Sequence, residues 1–471
     1  MTVLSQEQRA ASLEAMTSQK FDVLVIGGGV TGAGIALDAA ARGLSTAVVE
    51  GQDWASGTSS RSSRLVHGGL RYLYNLDFKL VAEALRERGR LLTTIAPHLV
   101  EAQPFLWPLK TPVIERAYSA VGVGMYDALA RIGSKGRKTV PIQRHLSKAG
   151  AMRRFPEIKR DALVGAIEFY DARVDDARLV ITLIRTAIKY GAAAASRVKV
   201  TEILKDGRGR ACGVKAVDLE TGDEFTIEAD RIINATGVWT EQTQELAGGT
   251  GGLKVLTSKG IHIVIPRERL KATTGMFLRT EKSVLFIIPW QHYWVIGTTD
   301  TAWHEQLTHP VPTSEDIDYV LDHANEVLDP PLTRDDIIGT YAGLRPLLQP
   351  KVLDESKSTK VSREHTVTEV IPGMVAIAGG KLTTYRVMAE DAVNFALGQS
   401  LAKARPSVTA QLPLLGAEGF DAVENQARRL GVKYGFDADR LHHLVRRYGS
   451  ELPDLFAAID EDPSLGKPLE A

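Results

Sequence analysis

A single cysteine, Cys212, stands in 471 residues. A disulfide framework and a cysteine-based metal centre are therefore excluded, and no metal is expected. The scarcity fits a reducing compartment, and the cytoplasm is the expected one. An excess of either charge is missing too: 57 basic residues meet 57 acidic ones. That balance removes the electrostatic footprint of a nucleic-acid-binding protein, so no nucleic acid is expected as a partner. No apolar run approaches the roughly 18 residues that a membrane span needs, so any contact with a bilayer is expected to be peripheral. Residues 1–20 are polar, with Leu4, Leu13 and Met16 among Gln, Glu and Ser, and lack the apolar core of a signal peptide. Repeats and low-complexity tracts are absent. What is left is a globular composition, 44% hydrophobic and 24% charged, long enough for two or three packed domains.

The strongest positive signal is residues 22–50, DVLVIGGGVTGAGIALDAAARGLSTAVVE. An apolar run enters a glycine cluster in which Gly27, Gly29 and Gly32 stand at G-x-G-x-x-G spacing. An alanine-rich helical pattern follows to Arg42, Gly43 breaks it, and a second strand ends in Glu50. This is a strand–helix–strand frame for a dinucleotide: the glycines let the backbone approach a pyrophosphate, and the helix N-terminus faces it. Glu50 is placed to accept from an adenosine ribose hydroxyl and would repel the extra phosphate of NADP, which leaves FAD and NAD. The segment SGTSSRSSR (56–64) is dense in hydroxyls and runs straight on into LVHGGLRYL (65–73). A flavin held along its length inside a protein needs such donors; a nicotinamide cofactor does not.

Mixed strand and helix patterns after this frame predict an α/β fold: a nucleotide-binding domain interrupted by an antiparallel-sheet substrate domain. A helix is expected over residues 78–100, ended by Pro104, Pro108 and Pro112, and another over 175–190. Residues 117–132 are apolar and rich in small side chains, and Arg131, Lys135, Arg137, Lys138 and Arg144 form a basic stretch around and after their end. The expected layout is a polar N-terminal extension at 1–20, a discontinuous nucleotide-binding domain at 21–100, 170–255 and 340–397, a substrate (cap) domain at 101–169 and 256–339, and a helical domain at 406–471.

Further chemistry lies in glycine turns. Ala235, Thr236 and Gly237 close a short strand where a second chain segment is expected to cross the dinucleotide. Gly379, Gly380 and Lys381 precede Leu382, Thr383 and Thr384, a turn that opens a helix whose N–H groups would face an electron-rich ring. Cations sit beside these turns: His67 and Arg71 in HGGLRY, Arg345 in YAGLRP, Arg363 in VSREH and Lys381 in GGKLTT. Guanidinium forks match phosphate or carboxylate oxygens, so the cluster predicts a small, highly charged anionic substrate.

These motifs carry a family resemblance. The chain resembles the aerobic, FAD-dependent glycerol-3-phosphate dehydrogenases of bacteria through residues 25–50, GTSSRSSRLVHGGLRYL (57–73), RVDDARLV (173–180), INATGVW (233–239), KGIHIVIP (259–266), IIPW (287–290), IGTTD (296–300), YAGLRPL (341–347) and GGKLTTYR (379–386). The resemblance implies a Rossmann-like FAD-binding domain interleaved with the cap, and oxidation of sn-glycerol 3-phosphate to dihydroxyacetone phosphate. Electrons would pass from FAD to ubiquinone or menaquinone, with the protein peripheral on the inner face of the plasma membrane. On this reading FAD is expected to contact Gly27, Gly29, Gly32, Glu50, Thr58, Ser59, Ser60, Leu65, Gly68, Ala235, Thr236, Gly237, Gly380, Leu382, Thr383 and Thr384. Arg345 would polarise the C2 oxygen, and Arg71, Tyr72 and Arg363 would hold the phosphate. His67 is the expected base, with Lys381 as the alternative. The segment 117–144 is expected to rest on the membrane, and a homodimer is the candidate assembly. Family members carry a longer C-terminal domain, so 406–471 reads as shortened. The neighbouring alternative is a glycerol-3-phosphate oxidase that makes hydrogen peroxide; such oxidases carry an inserted segment not seen in this sequence.

Overall fold

A computed structural model describes residues 3–69, 78–111, 124, 140–248, 252–280, 284–349 and 365–467. Arg71, Tyr72, Arg363 and most of the segment expected at the membrane, including Arg131, Lys135, Arg137 and Lys138, lie outside the described residues.

Val23–Ile26 is buried along its whole length. An apolar run covered on both faces suits the interior of a parallel sheet, and this strand lies inside one of six strands. The order is His365–Ile371, Met374–Gly379, Ile232–Asn234, Val23–Ile26, Thr46–Glu50, Ala193–Ser196. All neighbours are parallel except the first pair, an antiparallel hairpin. Successive side chains alternate between faces. Val23 and Val25 join a core with the helices Val30–Ala41, Asp176–Lys189 and Tyr385–Ala404, whereas Leu24 and Ile26 join one with the three-stranded antiparallel sheet Val198–Lys205, Ala211–Asp218, Glu224–Glu228. The polar N-terminal stretch forms the helix Gln6–Ser18, capped by Ser5. It is docked by Ser12, whose Oγ accepts from the Ala194 N–H at 3.1 Å, and by Arg9, paired with Asp218 at 2.6 Å.

The second body is a ten-stranded sheet. It is mainly antiparallel, as expected for the cap, but Gly275–Arg279 runs parallel to Val100–Leu109. Two expectations shift here. Pro104 and Pro108 do not end a helix; they lie inside Val100–Leu109, which pairs with Gly165–Val174. The other edge of that strand pairs only at Phe105 and Leu106, so few ladder bonds are lost to the missing N–H groups. The helix before it is correspondingly shorter, Phe78–Arg90, followed by a wider helical turn at Leu91–Ile95. Gly339–Leu348, assigned from sequence to the nucleotide-binding domain, pairs along its full length with Val255–Pro266 in the large sheet. The side-by-side pairing of these two long strands decides its place.

The helices Phe420–Lys433, Ala438–Tyr448 and Leu452–Glu461 pack around Phe420, Leu441, Val445, Leu452 and Phe456. Ion pairs tie them to the rest of the chain: buried Arg185 is bidentate on Glu451 at 2.7 and 2.9 Å, and Glu101 meets Arg446 at 2.8 Å and Arg173 at 2.6 Å. Burial pushes the Glu101 carboxyl up, but His442, Arg173 and Arg446 outweigh it and hold the group down at about 2. A carboxylate with a depressed folded-state pKa stabilises above its unfolded value, roughly 4.3, and that contribution disappears as the pH falls through the folded value. Acidification from pH 5 to pH 2 is therefore expected to loosen the C-terminal helices first. Hydrogen exchange in residues 407–467 rising before exchange in the six-stranded sheet would be the sign; simultaneous loss of both would contradict it.

Candidate active site

The glycine turn is shaped by contacts that no side chain allows. Gly27 has φ +113°, and a Cβ there would lie 2.6 Å from the Ala235 carbonyl oxygen; at Gly32 it would lie 1.9 Å from the Gly27 carbonyl oxygen. Gly29 is the N-cap of Val30–Ala41 and offers no side chain. The cap comes instead from the hydroxyl-rich loop, where Ser59 Oγ accepts from the Val30 N–H at 2.9 Å. Glu50 closes the frame at the next strand end, accepting from the Gly28 and Gln52 N–H groups at 2.7 Å each. Burial raises its pKa, and those two N–H bonds counter the rise. Across the turn, buried Asn234 accepts from the Thr236 hydroxyl at 2.7 Å and donates to the Thr240 carbonyl at 3.0 Å, which fixes the Ala235–Gly237 crossover.

A cavity of ≈ 690 Å³ runs past Gly27, Gly29, Glu50, Ser59, Thr236 and Lys381. The turn without side chains, the helix N-terminus beside it and the carboxylate at one end fit a dinucleotide. A second cavity, ≈ 240 Å³, shares Val30, Thr58, Ser59, Gly380, Lys381 and Leu382 with the first and adds Leu65, His67, His262 and Arg345. His67, Arg345 and Lys381, which sequence spacing could only place beside separate glycine turns, are thus brought to one chamber.

Arg345 is set by absent and present side chains. A Cβ on Gly260 would come within 2.4 Å of Arg345 Nη2, so that glycine makes room for the guanidinium. Nη2 donates to Thr298 Oγ1 at 3.0 Å and to the Thr299 carbonyl at 3.1 Å, and Nη1 faces Asp300 at 3.6 Å. His67 sits on a loop pinned from two directions. Thr383 Oγ1 donates to the His67 carbonyl at 3.0 Å, and the following Gly68 N–H donates to Asp171 at 3.1 Å. Asp171 is itself held by buried Arg88 at 2.6 Å.

Not every expected cofactor contact lines a cavity. Among the described residues, Gly32, Ser60, Gly68, Thr383 and Thr384 line neither cavity. Gly32 packs on the turn, Gly68 turns its N–H to Asp171, and Thr383 and Thr384 are spent on the carbonyls of His67 and Lys381. Ser60 ends the short helical turn Thr58–Ser60.

One wall residue escaped the sequence reading. His262 is buried, stacked on Tyr341 with ring centroids 4.7 Å apart, and its Nε2 lies 2.9 Å from Ser63 Oγ. Burial, followed by the charges of Arg345 and Arg64, lowers its pKa to about 3, so the ring is neutral at physiological pH. Its Nδ1 is buried with no hydrogen-bond partner among the described residues. The signal was present in KGIHIVIP, a polar ring inside an apolar strand.

Comparison with known proteins bears on this architecture. Residues 22–386 match the model of the FAD dependent oxidoreductase family, and residues 407–471 match the C-terminal domain of alpha-glycerophosphate oxidase. Glycerol-3-phosphate dehydrogenase 2 of Mycobacterium tuberculosis is 50% identical over 466 residues, which cover 99% of this chain and 78% of that protein. The human mitochondrial glycerol-3-phosphate dehydrogenase is 39% identical over 461 residues, 94% of this chain and 62% of that one. Among solved structures, glycerol-3-phosphate dehydrogenase from Bacillus halodurans complexed with FAD superposes with a TM-score of 0.79 at 32% identity, covering 99% of this chain and 85% of that one.

Proposed function

The chain belongs to the FAD-dependent glycerol-3-phosphate dehydrogenases, and from that premise we propose that it oxidises sn-glycerol 3-phosphate to dihydroxyacetone phosphate and delivers the electrons to a membrane quinone, ubiquinone or menaquinone, in glycerol catabolism. The observation that carries the reading is the small cationic cavity opening from a dinucleotide cradle across Lys381 and Leu382. Bound FAD supplies the hydride acceptor. The cradle's glycines, Glu50, Ser59 and Thr236 are the residues to hold it.

The chain's own contribution is orientation and proton handling. A phosphorylated triol loses much hydration on entry, and fixed cations replace that hydration. Arg345, already anchored by Thr298 and Thr299, polarises the C2 oxygen. The remote phosphate is assigned to Arg71, Tyr72 and Arg363, which clamp the far end and orient C2. His67 takes the C2 hydroxyl proton, the role that histidine fills most often in proton transfer. His262, held neutral, shapes the wall of the smaller cavity through Ser63 and Tyr341, and Lys381 adds positive charge at the wall between the cavities.

The two histidines make separable predictions. His67→Asn is expected to slow substrate-driven flavin reduction about 10³-fold, within the range for loss of a general base, and to flatten the rise of rate with pH. His262→Asn is expected chiefly to raise KM and to leave the shape of the pH profile alone. Stopped-flow reduction across pH checks both; an unchanged profile in His67→Asn would move the base elsewhere.

The electron acceptor is the second test. Quinones partition into lipid, so we place the protein peripherally on the inner face of the plasma membrane, with residues 117–144 toward the lipid and a homodimer as the candidate assembly. A second reading, an oxidase, is favoured by the C-terminal match to alpha-glycerophosphate oxidase. Turnover with a soluble quinone analogue, and little peroxide in air, supports the dehydrogenase. Peroxide equal to the substrate consumed would establish the oxidase.

A further inference from the structure

A third cleft, ≈ 740 Å³, lies away from the cofactor and substrate cavities, where the helix Ala438–Tyr448 faces the strands Gly165–Val174 and Val284–Trp290. Six arginines line it: Arg173, Arg178, Arg267, Arg440, Arg446 and Arg447, against four carboxylates, Glu101, Asp175, Asp437 and Asp439. Guanidinium groups stay protonated in proteins, so this excess of positive charge persists at any physiological pH.

Three of the four carboxylates are already committed. Glu101 is shared by Arg173, Arg446 and His442. Asp175 caps the helix Asp176–Lys189 through the Arg178 N–H and faces Arg447 at 3.4 Å. Asp437 caps Ala438–Tyr448 through the Arg440 N–H at 2.7 Å. Arg178, Arg267 and Arg440 consequently form no ion pair among the described residues. They lie over the rings of Tyr448, Trp294 and Phe436 at 4.6, 4.0 and 3.9 Å, and donate only to the backbone carbonyls of Arg447, Ala272 and Gly466. Arg267 also has a buried Nη1 with no hydrogen-bond partner among the described residues. The crowding registers in Arg178, whose pKa is lowered to about 10 by burial and by Arg447.

We propose that this cleft is a second anion site, taking a ligand that carries a phosphate or pyrophosphate group and bridging the C-terminal helices to the body of the protein. Concave walls of one charge concentrate counter-ions, and the volume lies within the range of small-molecule sites. Arginine forks arriving from three separate elements suit the spread of oxygens on phosphate better than the single plane of a carboxylate. The ligand is either a soluble phosphorylated compound or the headgroup of an anionic phospholipid. The site does not depend on the catalytic reading above.

Calorimetric titration of the FAD-loaded protein with inorganic pyrophosphate, at constant ionic strength set by chloride, tests the proposal. Saturable binding is expected, weakened at least tenfold in the Arg267→Gln/Arg440→Gln double variant, whose KM for sn-glycerol 3-phosphate stays within twofold of the parent. Asp439→Asn, which removes an exposed carboxylate from the rim, is expected to tighten pyrophosphate binding severalfold and guards against misfolding of the double variant. Identical isotherms in the parent and both variants would overturn the site. Co-sedimentation with phosphatidylglycerol vesicles separates the sources: loss in the double variant assigns a lipid headgroup, and unchanged sedimentation with weakened pyrophosphate binding assigns a soluble ligand.

Discussion

Arg345→Gln is expected to lower kcat/KM for sn-glycerol 3-phosphate about 10³-fold while leaving flavin content and melting temperature near those of the parent. Removal of one preorganised donor at a reacting oxygen costs about 10²–10³ in rate, and this side chain also carries a full charge. Its position is over-determined. Gly260 leaves it space, Thr298 and Thr299 hold Nη2, and Asp300, which also accepts from Ser258, stands near Nη1. Glutamine reaches some of the same acceptors but brings no charge. Arg345→Lys restores the charge without the fork, so it should recover only part of the loss. Because Arg345 lines the smaller cavity and not the larger one, the flavin absorbance is the internal control. A variant that turned over at the parental rate would remove Arg345 from the reaction, and one that lost its colour would make the residue structural.

Gly32→Ala is expected to yield a colourless protein. The added methyl would stand 1.9 Å from the Gly27 carbonyl oxygen and 2.9 Å from its carbonyl carbon. Both are backbone atoms, so no side-chain rotation relieves the collision. Gly27 cannot yield easily, with φ at +113° and the Ala235 carbonyl behind it. The turn must open, and the backbone that approaches the pyrophosphate moves with it. Overpacking of this kind costs about 1–3 kcal/mol, which at the upper end weakens FAD binding about 100-fold. Apoprotein titrated with FAD, followed by flavin fluorescence quenching, gives the ratio directly. Full flavin occupancy at parental affinity would show that the turn tolerates the methyl group.

The parts legible in the sequence were those fixed by local sterics. Gly27 and Gly32 announce the cradle because a Cβ at either strikes backbone, and Glu50 follows because the strand that carries it is set by the same frame. The hydroxyl-rich loop was recognisable as a unit, but not the division of labour within it. Ser59 caps the helix Val30–Ala41, Ser62 bonds Asp176 and Ser63 meets His262. Those partners lie more than a hundred residues away in two of the three cases, and spacing carries no information about them. His262 was hidden for the same reason: within Val255–Pro266 an isolated histidine reads as a tolerated core residue until Ser63, Tyr341 and Arg345 are seen around it. The strand Gly339–Leu348 was misplaced because strand patterns say which residues alternate, not which sheet they join. The Arg88–Asp171 pair behind the His67 loop joins two elements 83 residues apart and left no trace in any motif.

The most direct test of the central claim is anaerobic. Purified holoprotein is mixed with sn-glycerol 3-phosphate in the absence of oxygen and quinone, and the visible flavin spectrum is followed. The cationic chamber beside the dinucleotide cradle predicts rapid and complete bleaching, with one dihydroxyacetone phosphate formed per flavin. A flavin that stays oxidised under saturating substrate, in protein that retains its melting temperature, would contradict the assignment of glycerol 3-phosphate as the substrate.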